Sequence, residues 1–487
     1  MKRYLDLLTN RITMYRLVLY LLIVLAIIAD ILAFFGVLQM DPFALQVSIL
    51  VLIASCLAVN YAFAYMFSLR ANSESALITA FILFFIFSPP ESVGAMVVLA
   101  IIGAIAMASK YLLAWRGRHI FNPAAIAAVI SGLAGLQYAS WWVGTGSMMI
   151  ATFLLGAVIL YKTRRFTMGG LFMATSIAVT IGVSLTKGYG LDQVLPLLVT
   201  SWPIIFFSGF MLTEPLTQPP RNYQRYIYAV GIAVLASAQL QVAGVFITPE
   251  IALVAGNVFG FLCGQRAAIK LKLIGRRQLS RDQIEYTFEA NRALHYLPGQ
   301  YIELQLPHAR ADSRGMRRTF TIASAPSDRT IKIGVRHYQP SSSFKKALQT
   351  APIGTVVKAT GIYGDFILPK DEREKLFLVA GGIGITPFRA HLESLIKSGK
   401  ARDGILLYSV RDKADAIYDD ILMANEHGIR TYVITNPVDE STIGKYAPDI
   451  QERHVYVSGP PAMVDAVHEK AKRMGAPKVS KDHFNGY

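Results

Sequence analysis

The residues with the clearest chemical pattern lie in two turns near the end of the chain. Phe377-Leu378-Val379-Ala380 is an apolar run of strand length, and Gly381-Gly382-Ile383-Gly384-Ile385-Thr386-Pro387 follows at once and opens a helical pattern. Glycines in such a turn let a phosphate approach the backbone, and a helix N-terminus favours its negative charge. Gly381, Gly382, Gly384 and Thr386 are therefore candidate dinucleotide contacts. The string is not GxGxxG, and a glycine turn after a strand is commonly structural. A second apolar run at 454–458 enters Ser458-Gly459-Pro460-Pro461-Ala462-Met463 and another helix.

Upstream, Arg318-Thr319-Phe320-Thr321 reads as a strand, with Arg318 and Phe320 expected on one side and Thr319 and Thr321 on the other. A flavin needs that mixture: a cation for its pyrophosphate, an aromatic wall for its ring and a hydroxyl near the redox nitrogen. An arginine in a strand is also commonly a solvated face. Ser341, Ser342 and Ser343 precede a helical run through Leu348, and the N–H groups of that helix start suit phosphates.

The elements that must position these residues come in two blocks. Residues 279–368 alternate short strand-like runs with turns, as in a small β-barrel, and 369–487 alternate buried strands with helices, as in a parallel-sheet α/β domain. Taken in order, PGQY at 298–301, RTFT at 318–321, the serine-rich helix start, GGIGITP at 381–387, SGPPAM at 458–463 and a terminal aromatic resemble the ferredoxin–NADP reductase superfamily. The resemblance implies FAD in the barrel and NAD(P)H in the second lobe. It assigns Arg318, Phe320 and Thr321 to the FAD, Ser341 to Ser343 to its pyrophosphate, and Gly381, Gly382, Gly384, Thr386 and Gly459 to the dinucleotide. Thr321, Ser458 and Tyr487 become the candidates at the hydride-transfer centre, with Tyr487 stacking on the flavin until nicotinamide displaces it. Relatives often carry Cys at the position of Ser458, a departure that leaves its role open. Ser409 and Arg411 suit a 2′-phosphate and hence NADPH; an arginine in that loop is also ordinary surface, so NADH stays open.

The first 265 residues of the 487 are a succession of apolar runs with few charges. Ten of them, near 14–36, 45–67, 74–89, 93–115, 120–136, 141–161, 167–186, 194–213, 226–243 and 249–266, approach the ~20 residues a helix needs to cross a bilayer. The net charge of +16 does not point to nucleic acid, because Lys and Arg cluster in alternate connections. That is the positive-inside pattern, which puts both termini and the reductase half in the cytoplasm of a bacterial-type membrane. Residues 266–278 read as a basic linker. Cys56 and Cys263 both lie in apolar spans, so this chain alone builds no four-cysteine iron–sulfur site and no metal site is expected.

Within the apolar half, SPP at 88–90, IFNPAAIA at 120–127 and LTEP at 212–215 resemble a family of flavin-carrying membrane proteins, found in the sodium-translocating NADH:quinone reductase and in the related Rnf complex. That resemblance implies a membrane flavin and electron transfer through the bilayer. The SGAT-like loop to which that family attaches FMN is missing here, which leaves a noncovalent FMN or riboflavin, or a quinone pocket. Pro- and Gly-broken spans in corresponding positions are compatible with a five-plus-five inverted repeat around a central site. Asn122, Asn257, Thr213 and the intramembrane carboxylate Asp30 are its candidates. The expected fold is a polytopic helical membrane domain fused to a ferredoxin-reductase-like module. The expected function is NAD(P)H oxidation through FAD into the membrane domain and on to a quinone, a membrane flavin or an extracytoplasmic flavoprotein. A redox-regulated transporter with a reductase sensor is the alternative. A haem protein is not expected, because paired histidines on membrane helices are missing from the sequence.

Overall fold

A computed structural model describes residues 12–483 except 70, 116–117, 201–202, 265–268, 310, 313–314, 327–328, 339–340 and 425. The chain divides into two units, Met1–Ala267 and Ala268–Tyr487.

The first unit is helical. Five helices are long and apolar enough to cross a membrane: Met14–Phe34, Pro42–Met66, Val93–Leu112, Gly146–Thr163 and Phe166–Thr186. Their outward surfaces carry large apolar side chains such as Ile31, Leu50, Val97 and Ile150. Five of the ten expected spans thus reach that length among the described residues, and the remaining apolar runs form shorter helices: Ser73–Ile86, Pro123–Leu133, Leu191–Thr200, Asn222–Ser237 and Pro249–Cys263. Proline and asparagine cut them short. Pro89-Pro90 follows the first closely, Asn122 caps Pro123–Leu133 by accepting from the Ala124 and Ala125 N–H groups, and Ile204–Phe206 runs into a wide π-turn at Phe207–Met211 before Thr213-Glu214-Pro215.

The helices pack in matching pairs. Pro42–Met66 lies on Val93–Leu112 as Phe166–Thr186 lies on Asn222–Ser237. Met14–Phe34 contacts Ser73–Ile86 as Gly146–Thr163 contacts the 204–211 segment. The halves meet through Met14–Phe34 against Gly146–Thr163 and through Pro123–Leu133 against Pro249–Cys263.

The second unit begins with six antiparallel strands: β1 (Ile269–Ser280), β2 (Gln283–Ala290), β3 (Tyr301–Gln305), β4 (Arg317–Thr321), β5 (Thr330–Arg336) and β6 (Val356–Tyr363). Their order is β4-β3-β6-β1-β2-β5, and an Ile322–Ile333 bridge joins the two edges. The expected basic linker is thus corrected: most of it is β1. Ile269, Leu271 and Leu273 alternate with Lys270, Lys272 and Ile274, so the first set enters the barrel core while the second stays outside.

Five parallel strands follow: β7 (Lys375–Gly381), β8 (Gly404–Ser409), β9 (Ile429–Ile434), β10 (Arg453–Gly459) and β11 (Lys478–His483), in the order β9-β8-β7-β10-β11. Both faces are covered. Leu376, Leu378 and Ala380 meet Phe388 and Leu392 of the helix Thr386–Ser398, while Phe377 and Val379 meet Val464 and Val467 of the helix Pro461–Arg473. This explains why the strands read as unbroken apolar runs.

Barrel and sheet also share a buried histidine. His391, 2% exposed, directs Nε2 at the Phe366 carbonyl 3.1 Å away. Burial holds this imidazole down to about 4, against an ordinary value of 6.5. The unfolded chain takes up its proton first, so His391 contributes fully above pH 6.5, and that contribution is withdrawn as the pH falls toward 4. The expected loss is about 3 kcal/mol. Thermal unfolding at stepped pH checks it: His391→Gln should flatten the acid limb, and an unchanged limb would remove His391 from the account.

Candidate functional site

The strand order reverses between β7 and β10, which start opposite connections, and this switch point is where open α/β sheets bind ligands. The two sequence-predicted turns meet there. β7 delivers Gly381 and β10 delivers Ser458, with Ala380 and Ser458 paired in register. Gly384 must be glycine, because a Cβ there would collide with the Ser458 carbonyl and stand 2.7 Å from the Gly459 Cα. Thr386, fully buried, begins the helix Thr386–Ser398 and donates to the Ile383 carbonyl at 3.1 Å. The helix N-terminus therefore opens beside the glycine turn, the geometry that receives a phosphate.

Ser458 is fully buried, and its Oγ has no hydrogen-bond partner among the described residues. A buried hydroxyl without a partner is costly unless a ligand or water completes it. Ser409 ends β8 beside Gly381, and Arg411 is exposed in the loop beyond. One residue of this neighbourhood was missed in the sequence. Arg336, at the end of β5, brings Nη1 to 3.4 Å from where a Gly382 Cβ would lie, while its Nε donates to Asp282 at 2.6 Å. The only signal was a cation after the apolar alternation of 331–335, and only barrel-to-sheet packing reveals what it faces.

On the barrel, Arg318 is 7% exposed. It donates to the carbonyls of Gly315 (3.1 Å) and Arg317 (2.6 Å), lies 3.4 Å from Asp312 and sits over the Phe344 ring at 5.6 Å. Asp312 in turn accepts from the Ser343 N–H at 2.9 Å. Ser342 caps the helix Ser343–Thr350 by accepting from the Lys345 N–H. Arg318 and the serine-rich helix start are thus brought to one corner of the barrel. Ser341 Oγ is buried there with no partner among the described residues, which fits a phosphate-bearing group. The expected alternation holds only in part. Thr319 is exposed, but Phe320 packs into the barrel core 5.8 Å from the Phe344 ring, and Thr321 is buried opposite Tyr301 at the strand end. Tyr487 lies outside the described residues.

Residues 270–367 match the oxidoreductase FAD-binding domain family, and residues 378–469 match the oxidoreductase NAD-binding domain family. The second unit is a ferredoxin-reductase-like FAD/NAD module. This reductase unit is 28% identical over 227 residues to the toluate 1,2-dioxygenase electron transfer component of Pseudomonas putida, covering 43% of this chain and 65% of that one. It is 26% identical over 203 residues to the reductase component of propane 2-monooxygenase from Rhodococcus jostii, covering 38% of this chain and 53% of that one. The chain thus spans between half and two thirds of these curated relatives. Among solved structures, the Amycolatopsis cytochrome P450 reductase GcoB aligns with a TM-score of 0.41 and 24% identity, over 45% of this chain and 69% of that one.

The reductase unit accounts for FAD and NAD(P)H. In the helical unit, three of the four predicted residues come together. Asn257 Oδ1 accepts from the Asn122 backbone N–H at 2.8 Å, and Asn257 Nδ2 donates to the Tyr228 hydroxyl at 3.2 Å. Asn122 and Thr213 line a small recess with Ser75, Thr79, Phe210 and Glu214. The fourth, Asp30, stands apart and accepts from Gln46 at 3.1 Å. Glu214 of the LTEP motif also faces this recess. Its Oε1 lies 3.2 Å from His119 Nε2, and its Oε2 is buried with no partner among the described residues. Among those residues no cluster of three or more acids, histidines or cysteines could hold a metal.

Proposed function

We propose that this chain is a membrane-bound oxidoreductase that moves hydride from NAD(P)H to FAD in its reductase unit and hands electrons to an acceptor at its helical unit. The observation that carries the reading is the meeting of Gly381–Thr386 with Ser458 at the sheet's switch point, in a unit that also gathers Arg318 and Ser341–Ser343 on the barrel. The FAD would supply the step from two-electron to one-electron chemistry. Arg318 and the N–H groups at Ser342 and Ser343 would hold its pyrophosphate, with Asp312 yielding its place. Gly381, Gly382, Gly384 and Gly459 leave room for the dinucleotide backbone, while Thr386 and Arg336 supply N–H and cationic partners. Ser458 and Thr321 would orient the two rings, and Tyr487 would cover the flavin face between turnovers. Ser409 and Arg411 would read the adenosine end.

The distribution of lysine and arginine supports a cytoplasmic reductase unit. The recess at Asn122, Thr213 and Glu214 is the proposed acceptor site, because it brings an asparagine, a hydroxyl and a carboxylate together among apolar helices. Non-helical backbone at Thr213–Pro215 and before Asn122 is tolerated in a membrane where it lines such a cavity. The likeness of its motifs to the flavin-carrying membrane proteins of the sodium-translocating NADH:quinone reductase and Rnf complexes favours the same reading. So does the role of its curated relatives as reductase components.

The experiment is flavin content and anaerobic reduction. The chain is purified in mild detergent, its released flavins are quantified against protein, and NADH or NADPH is added with and without a short-chain quinone. FAD that bleaches with the nucleotide and recovers with the quinone supports the proposal. A folded protein without flavin overturns it. Ser458→Ala gives a finer check: unfolding should move by less than about 1 kcal/mol, since no bond to the hydroxyl is lost, while FAD bleaching slows about tenfold. Unaltered bleaching would remove Ser458 from the centre.

One observation favours a second reading. The matching helix pairs fit a five-plus-five inverted repeat, and such repeats recur in transporter folds. A transporter with a reductase sensor would reduce its FAD yet pass no electrons onward to quinone or to a flavoprotein.

A further inference from the structure

The barrel carries an exposed face that the redox chemistry leaves unused. β1 sends Lys270, Lys272 and Ile274 outward, and β6 pairs Lys358 with Lys270 and Val356 with Lys272. Ile353 joins them from the turn beside Leu273, whose backbone bonds to Gly354 and Thr355. Ile274 is 43% exposed, Val356 54% and Ile353 59%, so three aliphatic side chains stand among the lysines of this face. None of the three lysines forms an ion pair among the described residues. The acid on these rows is Glu289, opposite Lys272 on β2.

We propose that this face docks on the anionic headgroups of the membrane in which the helices sit. Three arguments select lipid. First, the composition is that of a membrane-surface patch, in which short apolar side chains enter the headgroup region while lysine stems keep their ammonium groups among phosphates. Second, the excess of lysine over acid is complementary to an anionic leaflet, and each such lysine favours the bound state about fivefold. Third, β1 begins at Ile269, five residues after the last apolar helix and its Gly264 C-cap. Five residues span at most about 18 Å even when extended, so the start of β1 is tethered within that reach of the helix end. A β-strand alternating lysine with aliphatic residues there is therefore presented to the headgroups at high effective concentration. Docking would restrain the barrel against the bilayer instead of leaving it to tumble on its connection.

The test uses the full chain in lipid nanodiscs, one set zwitterionic and one with about a third anionic lipid. Amine-reactive labelling followed by mass spectrometry gives the reaction rate of each lysine. Lys270, Lys272 and Lys358 should react about fivefold more slowly in the anionic discs at low salt, and the difference should vanish at high salt. Lys397 and Lys413, exposed on the sheet domain, should react alike in all discs. Lys272→Glu should restore the rates of Lys270 and Lys358 in anionic discs. Equal protection in both lipids would show that protein covers the face and would overturn the proposal, as would equal and fast labelling in both. No redox activity enters these readings, so their outcome is independent of the functional proposal.

Discussion

Arg318→Ala is expected to strip FAD from the chain and abolish NAD(P)H oxidation while leaving the protein in the membrane. The arginine is 7% exposed and its guanidinium is shared between the Gly315 and Arg317 carbonyls, Asp312 and the Phe344 face, so it both shapes the corner and charges it. A charge-assisted hydrogen bond to pyrophosphate contributes about 1.5–3 kcal/mol, so its loss weakens FAD binding roughly 10- to 150-fold. Arg318→Lys should fall between, because an ammonium keeps the charge without the planar fork. The readout is FAD released per chain, with the chain's recovery in detergent as the control. Full FAD and normal turnover in Arg318→Ala would sink the assignment.

The second large effect is expected behind the site. Arg389, 2% exposed on the helix Thr386–Ser398, donates to the Ala323 carbonyl at 2.6 Å and to Glu393 at 3.0 Å. Its guanidinium lies 4.9 Å from the Tyr418 ring centre, and Nε is 4.0 Å from the carboxylate of Glu285, itself 2% exposed on β2. Glu393 accepts from the Ala325 N–H at 2.6 Å. Burial alone would raise the Glu393 carboxyl, but the Ala325 N–H and Arg389 overcome it and hold it below its ordinary range. These contacts join the barrel to the sheet domain beside Gly334, where any Cβ would press within 2.8 Å of the Thr386 methyl. Arg389→Met removes the buried cation between Glu285 and the half-buried Glu393, leaving them only the more exposed Arg277, Lys332 and Lys397. Breaking a buried pair in this way costs about 3–5 kcal/mol, or about 10 °C in melting for a unit of this size. Lys397→Met is the control: it removes a 53% exposed partner 3.2 Å from Glu393 and should move the melt by less than about 1 kcal/mol. The measurement is flavin release on heating the full chain. A melt unmoved by Arg389→Met would show that other contacts hold the two domains together.

What the sequence determined by itself is whatever rests on local periodicity and on turn chemistry. Apolar runs bounded by glycine turns placed β7 and β10, because a strand covered on both faces has no polar positions to interrupt it. The ordered set from PGQY to SGPPAM marked FAD and NAD(P)H through its resemblance to the ferredoxin–NADP reductase superfamily. The long apolar helices were legible because a bilayer imposes a length. What the tertiary structure decided are the relations between distant residues. Residues 266–278 read as a basic linker because lysine and arginine recur there, yet Ile269, Leu271 and Leu273 between the lysines only acquire a core once β2 and β6 flank them. Arg336 carries no motif, and its approach to Gly382 exists only because β5 packs under the glycine turn. Asn122 and Asn257 are 135 residues apart, and the bond between them forms only when two short helices face each other inside the bundle. Phe320 packs in the barrel core 5.8 Å from the Phe344 ring, a neighbour 24 residues away that its own strand does not announce. Periodicity assigns a side chain to one face of its own strand; only the partner that packs against that face decides what the side chain meets there.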